Sequence, residues 1–291
     1  MPATGYILAS MRPMQWIKNL VLFAALIFSR KLFEKEAVFT AVLAFVVFSL
    51  LSGAVYIFND LIDIERDRLH PGKSKRPIAA GHLPAPTARA AFIVIALACL
   101  AGAFLINTGF GLAASAYLAI QVAYFLFFKN IVIMDVFSIA SGFFLRVVAG
   151  ALAIGVVISP WLKVCTFFLA LFLSLCKRRH ELLLLEGDSS YEHRDVLREY
   201  NAPLLDQMIT VVTSATVIAY TIYTISEETV KKFHTTDLLY TIPFVLYGVY
   251  RYLYLVYRKE EGGSPEMSLL ADKPMLLNIM LYAIAVVVIL Y

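Results

Sequence analysis

Residues 36–67, EAVFTAVLAFVVFSLLSGAVYIFNDLIDIERD, decide the class of this chain. From Ala37 to Phe58 the stretch is almost continuously apolar, long enough for the ~20 residues a helix needs to cross a bilayer core. It ends in Asn59-Asp60-Leu61-Ile62-Asp63-Ile64-Glu65-Arg66-Asp67, a comb of the form N-D-x-x-D-x-x-x-D. On a helix Asn59, Asp63 and Asp67 recur every four residues and share one face, with Asp60 alongside. Oxygen ligands on one face, with no thiol among them, suit a hard cation such as Mg2+ better than zinc. Magnesium held by few protein ligands completes its shell with water and substrate phosphates. The comb therefore reads as a diphosphate site at a membrane surface.

Composition supports the membrane. The chain has 291 residues, 60% hydrophobic and 16% charged, and a mean hydropathy of +0.77, far too apolar for a soluble domain. Apolar runs near 15–30, 36–58, 86–106, 110–128, 133–156, 160–185, 204–225, 238–257 and 274–291 give about nine spans and an all-α polytopic membrane protein. The N-terminal run has no small-residue cleavage site and reads as a first span rather than a cleavable leader. Cys99, Cys165 and Cys176 fall inside expected helices without metal or redox spacing, so they read as small packing residues. A pI near 8.8 does not imply nucleic acid, because there is no soluble basic domain to carry it.

Basic residues set the orientation. Segments 1–18, 59–89, 129, 177–198 and 251–273 hold 18 of the 25 Lys and Arg, against 6 in segments 30–35, 163 and 231–232. The positive-inside rule then predicts a plasma-membrane protein with a cytoplasmic N-terminus and a cytoplasmic comb. The two longest loops, 59–85 and 186–203, lie on that side; Pro71, Gly72, Pro77, Gly81, Pro84 and Pro86 break the first, and Gly187, Asp188, Ser189 and Ser190 the second. An all-apolar exterior suits lipid and a second copy of the chain alike.

Four further groups bear on chemistry. Lys73 and Arg76 follow the comb within His70–Gly81, where bases neutralise phosphate oxygens that a metal does not reach. Lys177, Arg178 and Glu181 share a helical face, followed by Arg194, Arg198 and Tyr200; Arg179 and Arg198 read as anchors. Arg146 is the one base deep in an expected span, with Asp135 and Lys129 toward the cytoplasmic end of the same hairpin; charge at that depth faces a polar cavity. Arg146 and Asp135 stand about three turns apart, too far for easy contact. Finally, Arg12-Pro13-Met14-Gln15-Trp16-Ile17-Lys18-Asn19 opens the first span, with Trp16 an interface anchor and Lys18 and Asn19 either snorkelling or facing the cavity.

Together these motifs resemble the UbiA superfamily of intramembrane prenyltransferases over essentially the whole chain. Within it, R-P-x-Q-W-x-K-N at 12–19, H-P-x-K-x-x-R-P-I-A-A-G at 70–81, L-R-x-V-A-G-A at 145–151, K-R-x-x-E-L at 177–182 and V-L-R-E-Y at 196–200 are similar to the decaprenyl-phosphate phosphoribosyltransferase branch. Members with aromatic acceptors carry a second aspartate comb after the sixth span; here that loop offers only Asp188 and Glu192 among basic residues. The resemblance implies a single domain over 1–291, its helices around a central cavity open to the cytoplasm.

It also implies a reaction. Asn59, Asp60, Asp63 and Asp67 would hold Mg2+ on the pyrophosphate of phosphoribosyl pyrophosphate, the polyprenyl phosphate attacking ribose C1. Lys18, Asn19, Lys73, Arg76, Lys129, Arg146, Lys177, Arg178, Glu181, Arg194 and Tyr200 would line the substrate site. The product, 5-phosphoribosyl-1-phosphoryl-polyprenol, would serve cell-envelope glycan synthesis. The alternative within the same fold is transfer of a prenyl chain to an aromatic, quinone or haem precursor. A transporter is disfavoured, since no internal repeat or pair of broken half-helices is evident.

Overall fold

The computed structural model describes residues 2–187, 195–259, 263, 268 and 271–291, with the backbone alone at 185–187 and 195. The helices are α1 (Ala3–Ser10), α2 (Ala24–Ile27), α3 (Lys35–Ile62), α4 (Ile64–Leu69), α5 (Ala85–Ile106) and α6 (Thr108–Leu126). They continue as α7 (Met134–Ala153), α8 (Pro160–Gly187), α9 (Ala202–Ile225), α10 (Glu227–Phe233), α11 (Ile242–Arg258) and α12 (Lys273–Leu290). No strand occurs among the described residues.

Seven of these, α3, α5, α6, α7, α8, α9 and α12, are long and apolar enough to cross a membrane. The other two expected spans have different forms. The first is a 3-10 stretch, Pro13–Phe23, running into α2; a 3-10 helix rises ~2.0 Å per residue, so it covers more depth than its length suggests. The second is the 17-residue α11, preceded by a 3-10 turn at Asp237–Thr241.

Successive long helices pack on one another from α3 to α9, and α11 packs on α12. The Pro13–Phe23 stretch lies against both α3 and α7. Its contact with α7 is backbone to side-chain-free backbone: a Cβ on Gly150 would stand 2.3 Å from the Leu22 carbonyl oxygen. In lipid, helix association rests on close packing rather than on transfer from water. Accordingly Ala44, Ala54, Ala103, Ala114 and Ala149 are all fully buried. Around them Phe48, Leu51, Phe110 and Tyr117 fill the core between α3, α5, α6 and α7. A second core joins Val136, Phe172, Leu175 and Cys176 to Leu205 and Tyr252. Cys99, Cys165 and Cys176 are buried and free, as packing residues should be.

Helix ends follow sequence signals. Asn107 accepts from Phe110 N at 2.8 Å, capping α6, while its amide donates to the carbonyls of Leu152 (3.0 Å) and Ala153 (2.9 Å) at the end of α7. One side chain thus satisfies orphan groups at two helix ends. Gly155, at φ 65, closes α7 through Val156 N to Ala151 O (3.0 Å) and Gly155 N to Leu152 O (3.2 Å), the left-handed stop that glycine makes cheap.

Candidate active site at the end of α3

The comb is not one continuous helix. α3 ends at Ile62, Asp63 is the joint (φ −97, ψ 15), and α4 resumes at Ile64. The four-residue bonding survives the break, with Asp63 N on Asn59 O (3.0 Å) and Asp67 N on Asp63 O (2.8 Å). The acids therefore stay on one strip while their depth varies. Asp60 and Asp67 are buried, and Asn59 and Asp63 are half-buried.

Each carboxylate meets a cation from a different part of the chain. Arg12 pairs with Asp60. Arg76 bridges Asp60 Oδ1 (3.2 Å) and Asp67 Oδ2 (2.5 Å). Lys129 Nζ lies 2.7 Å from Asp63 Oδ1. Buried charges need such partners, and three acids against three bases leave the strip close to neutral. Among the described residues no three acidic, His or Cys side chains converge as a ligand set; the aspartates are turned toward Arg12, Arg76 and Lys129. The donor set nonetheless fits a hard divalent cation: it is all oxygen, and Asp60 Oδ2 is buried without a hydrogen-bond partner.

Local sequence explains how the bases arrive. After α4, the His70 ring accepts at Nδ1 from Gly72 N (3.1 Å) and Lys73 N (3.4 Å). Burial and the neighbouring Lys73 hold its imidazole below the ordinary histidine value, which keeps Nδ1 free to accept. The run Arg76–Gly81 then turns back on itself, Ala80 N bonding Arg76 O (2.8 Å) and Leu83 N bonding Pro77 O (3.0 Å). Gly81 takes φ 77, a conformation side chains resist. Ile78 and Leu83 sink into a cluster with Met11 and Ile57, and that anchorage sets Arg76 over the acids. Lys73 itself is exposed.

Arg12 was legible only as part of a basic stretch, not as a member of the site. It takes a left-handed conformation (φ 52, ψ 67) in front of Pro13, an unfavourable place for it. Its guanidinium lies 4.9 Å from the Tyr56 ring centroid. Gly53 admits Met11 so closely that a Cβ would come within 2.9 Å of the Met11 Cβ. No periodicity in the sequence announces a contact between residues 12 and 60.

Other expected site residues gather elsewhere. Arg146 is buried, donating to Asn19 Oδ1 (2.7 Å), Gly142 O (2.8 Å) and the Tyr117 hydroxyl (2.9 Å), with its guanidinium 4.8 Å from the Tyr117 ring centroid. Asn19 donates onward to Ser49 (3.1 Å) and Ser52 (3.0 Å) on α3. This neutral cage ties the first stretch to α3, α6 and α7 beneath the comb; Asp135 has no part in it. Asp135 pairs instead with Arg178, whose Nε lies 2.9 Å from Asp135 Oδ2. Arg178 also pairs with Glu181, and the Tyr200 hydroxyl donates to Asp135 Oδ1 at 2.7 Å. Arg178 and Asp135 are 1% and 0% exposed, so this pair lies inside the bundle. Arg179 anchors α8 to α9 through Asp206 at 2.6 Å, as expected. Lys18 and Lys177 are half-buried. Arg194, Asp188 and Glu192 lie outside the described residues.

The fold and the acidic strip define an all-α, multi-pass intramembrane protein with an acid–base site at one end of its bundle. The chain belongs to the UbiA prenyltransferase family, whose model matches residues 20–267. It is 32% identical to the decaprenyl-phosphate phosphoribosyltransferase of Corynebacterium glutamicum over 93% of this chain and 82% of the relative. The protein of the same name from Mycobacterium tuberculosis is 32% identical over 76% of this chain and 74% of its own. Among solved structures, a UbiA homolog from Archaeoglobus fulgidus bound to GPP and Mg2+ shares the fold, with a TM-score of 0.74 at 19% identity over 98% of this chain and 99% of that one.

Proposed function

We propose that this protein transfers the 5-phosphoribosyl group of phosphoribosyl pyrophosphate to a polyprenyl phosphate, releasing pyrophosphate at the cytoplasmic face of the membrane. The observation that carries the reading is the meeting of Arg12, Arg76 and Lys129 with Asp60, Asp63 and Asp67. The activity named for relatives that this chain matches along most of its length supports the choice of donor.

Asn59, Asp60, Asp63 and Asp67 would hold Mg2+, which when bound draws charge from the departing pyrophosphate. Arg12, Arg76 and Lys129 stand within a side-chain swing of the same space. They turn from carboxylate to phosphate oxygens as the donor arrives, so charge is exchanged rather than newly buried. The bond from ribose C1 to the pyrophosphate oxygen breaks, its electron pair leaving with pyrophosphate. A bond forms from C1 to an oxygen of the lipid phosphate, which is already anionic and needs no general base. Positioning and preorganised charge therefore supply most of the acceleration. Lys18, Lys73, Lys177 and Arg194 are the further bases for the 5-phosphate and the lipid phosphate. Arg146 and Asn19 brace the bundle below the comb, and Arg178 pairs with both Asp135 and Glu181.

The test is donor choice. Purified protein in detergent receives polyprenyl phosphate, Mg2+ and labelled phosphoribosyl pyrophosphate, beside an EDTA control. Metal-dependent movement of label into the organic phase is expected. Absence of transfer, together with turnover of a prenyl diphosphate and an aromatic acceptor, overturns the proposal.

A further inference from the structure

The connector between α6 and α7 carries Lys129 to the comb, and it does so on strained backbone. Ile133 has φ 71 and ψ −45, the γ-turn region that is rare for any residue and worst for a β-branched one. Its side chain is 44% exposed, so packing does not hold it there. Two hydrogen bonds meet there: Asp135 N donates across it to Ile131 O at 3.1 Å, and the Ile133 N–H donates to the Tyr200 hydroxyl at 2.7 Å. That hydroxyl is fixed in turn by donating to Asp135 Oδ1 at 2.7 Å. Asp135 is locked by Arg178.

On one side of Ile133, α7 starts at once, Phe137 N bonding Ile133 O at 3.0 Å. On the other side lies the 3-10 turn Phe128–Asn130, closed by Ile131 N on Phe128 O at 3.1 Å. Lys129 is the middle residue of that turn. Rotation at Ile133 would therefore swing the turn as a unit and withdraw Lys129 from Asp63. Val132 packs into the cluster that holds Val196 and Tyr200, so connector and latch are also in apolar contact.

We propose that Tyr200 is a positioning residue, its hydroxyl holding Ile133 in its strained conformation and thereby setting Lys129 against Asp63. The segment 195–200 thus acts on the comb through the connector, without touching substrate. Burial and the bond to Asp135 push the Tyr200 hydroxyl above the ordinary tyrosine range, so the latch stays neutral and closed across physiological pH. The consequence for transfer rests on the proposed function; the latch itself does not.

The test uses the full chain in detergent and an amine-acylating reagent, with modification of Lys129 read by mass spectrometry against the exposed Lys75. Tyr200→Phe is expected to raise Lys129 acylation about tenfold, the shift that accompanies loss of an ordinary buried hydrogen bond. Adding Ile133→Gly should restore protection to within about twofold, because glycine adopts positive φ without help. Ile133→Val in place of glycine should not restore it. Wild-type protection in Tyr200→Phe overturns the proposal, as does a glycine double variant as reactive as the single one. If Tyr200→Phe alone does not fold, the glycine double variant decides: folded with Lys129 protected supports the latch, and unfolded or reactive overturns it. Activity separates the two readings. The latch predicts that glycine also restores the donor KM raised by Tyr200→Phe, whereas a wild-type protein without phosphoribosyl transfer overturns the proposed function and leaves the acylation result standing.

Discussion

Replacing Arg76 with Met removes one guanidinium from two buried carboxylates while keeping most of the side chain's volume. Arg76 lies 3.2 Å from Asp60 Oδ1 and 2.5 Å from Asp67 Oδ2. At an effective dielectric of ~20 the two contacts are worth ~5 and ~7 kcal/mol of gross attraction, most of it offset by the cost of taking the charges out of water. Removing one partner of a fully buried pair costs ~3–5 kcal/mol. Arg76 keeps 23% of its side-chain exposure and Asp60 keeps Arg12, so solvent screening brings the expected loss down to about 2–3 kcal/mol. For a chain of 291 residues that corresponds to a fall of roughly 3–5 °C in melting temperature, read by thermal unfolding in detergent. The freed carboxylates should also make the variant more responsive to divalent ions: added Mg2+ should raise its melting temperature by more than it raises that of the wild type. A variant that melts within about 1 °C of wild type, or one indifferent to Mg2+, would refute the view that the strip is a cation site kept balanced by resident bases.

Three other outcomes are expected. Gly150→Ala drives a methyl into the Leu22 carbonyl, which belongs to the backbone, and should cost ~3 kcal/mol; Gly53→Ala meets the Met11 Cβ at 2.9 Å as well as the movable end of that side chain and should also destabilise, by ~1–3 kcal/mol, both read by thermal melting. Asp63→Ala should abolish most metal-dependent turnover and leave Lys129 reactive to acylation; near-normal turnover at saturating Mg2+ would remove Asp63 from the metal assignment. The pH profile should show an acid limb from His70. Its imidazole is held below the usual value of ~6.5, so the turn presenting Lys73 is intact above that value and is lost as pH falls through the lowered one; a His70→Asn variant should lack this limb.

The spans were legible because twenty apolar residues in a row have few other uses, and the comb because four-residue spacing marks one side of a helix. Arg76 and Lys129 were legible as bases close to acids in chain or in topology. Three features were not. Nothing in Asn59–Asp67 marks Asp63 as a joint, since the helical pattern runs on through it. Arg12 reaches Asp60 only through a left-handed turn and the missing side chain of Gly53, tertiary facts with no period. Arg178 and Glu181 have the spacing of a ligand-facing pair, but spacing fixes only which residues share a face. Asp135, from another helix, pairs with Arg178 inside the bundle.

The three bases also differ in when the ribosome delivers them. Arg12 is made before the comb and Arg76 only nine residues after Asp67, so three of the four ion pairs can form before α5 and α6 are made. Lys129 follows only after α5 and α6 have been threaded into the bilayer. Asp63 is thus the last acid to be matched, and a nascent chain halted before Lys129 carries an unneutralised carboxylate at the end of its first long span. The charge balance of the strip is therefore completed only when the connector between α6 and α7 is in place, with Lys129 beside Asp63.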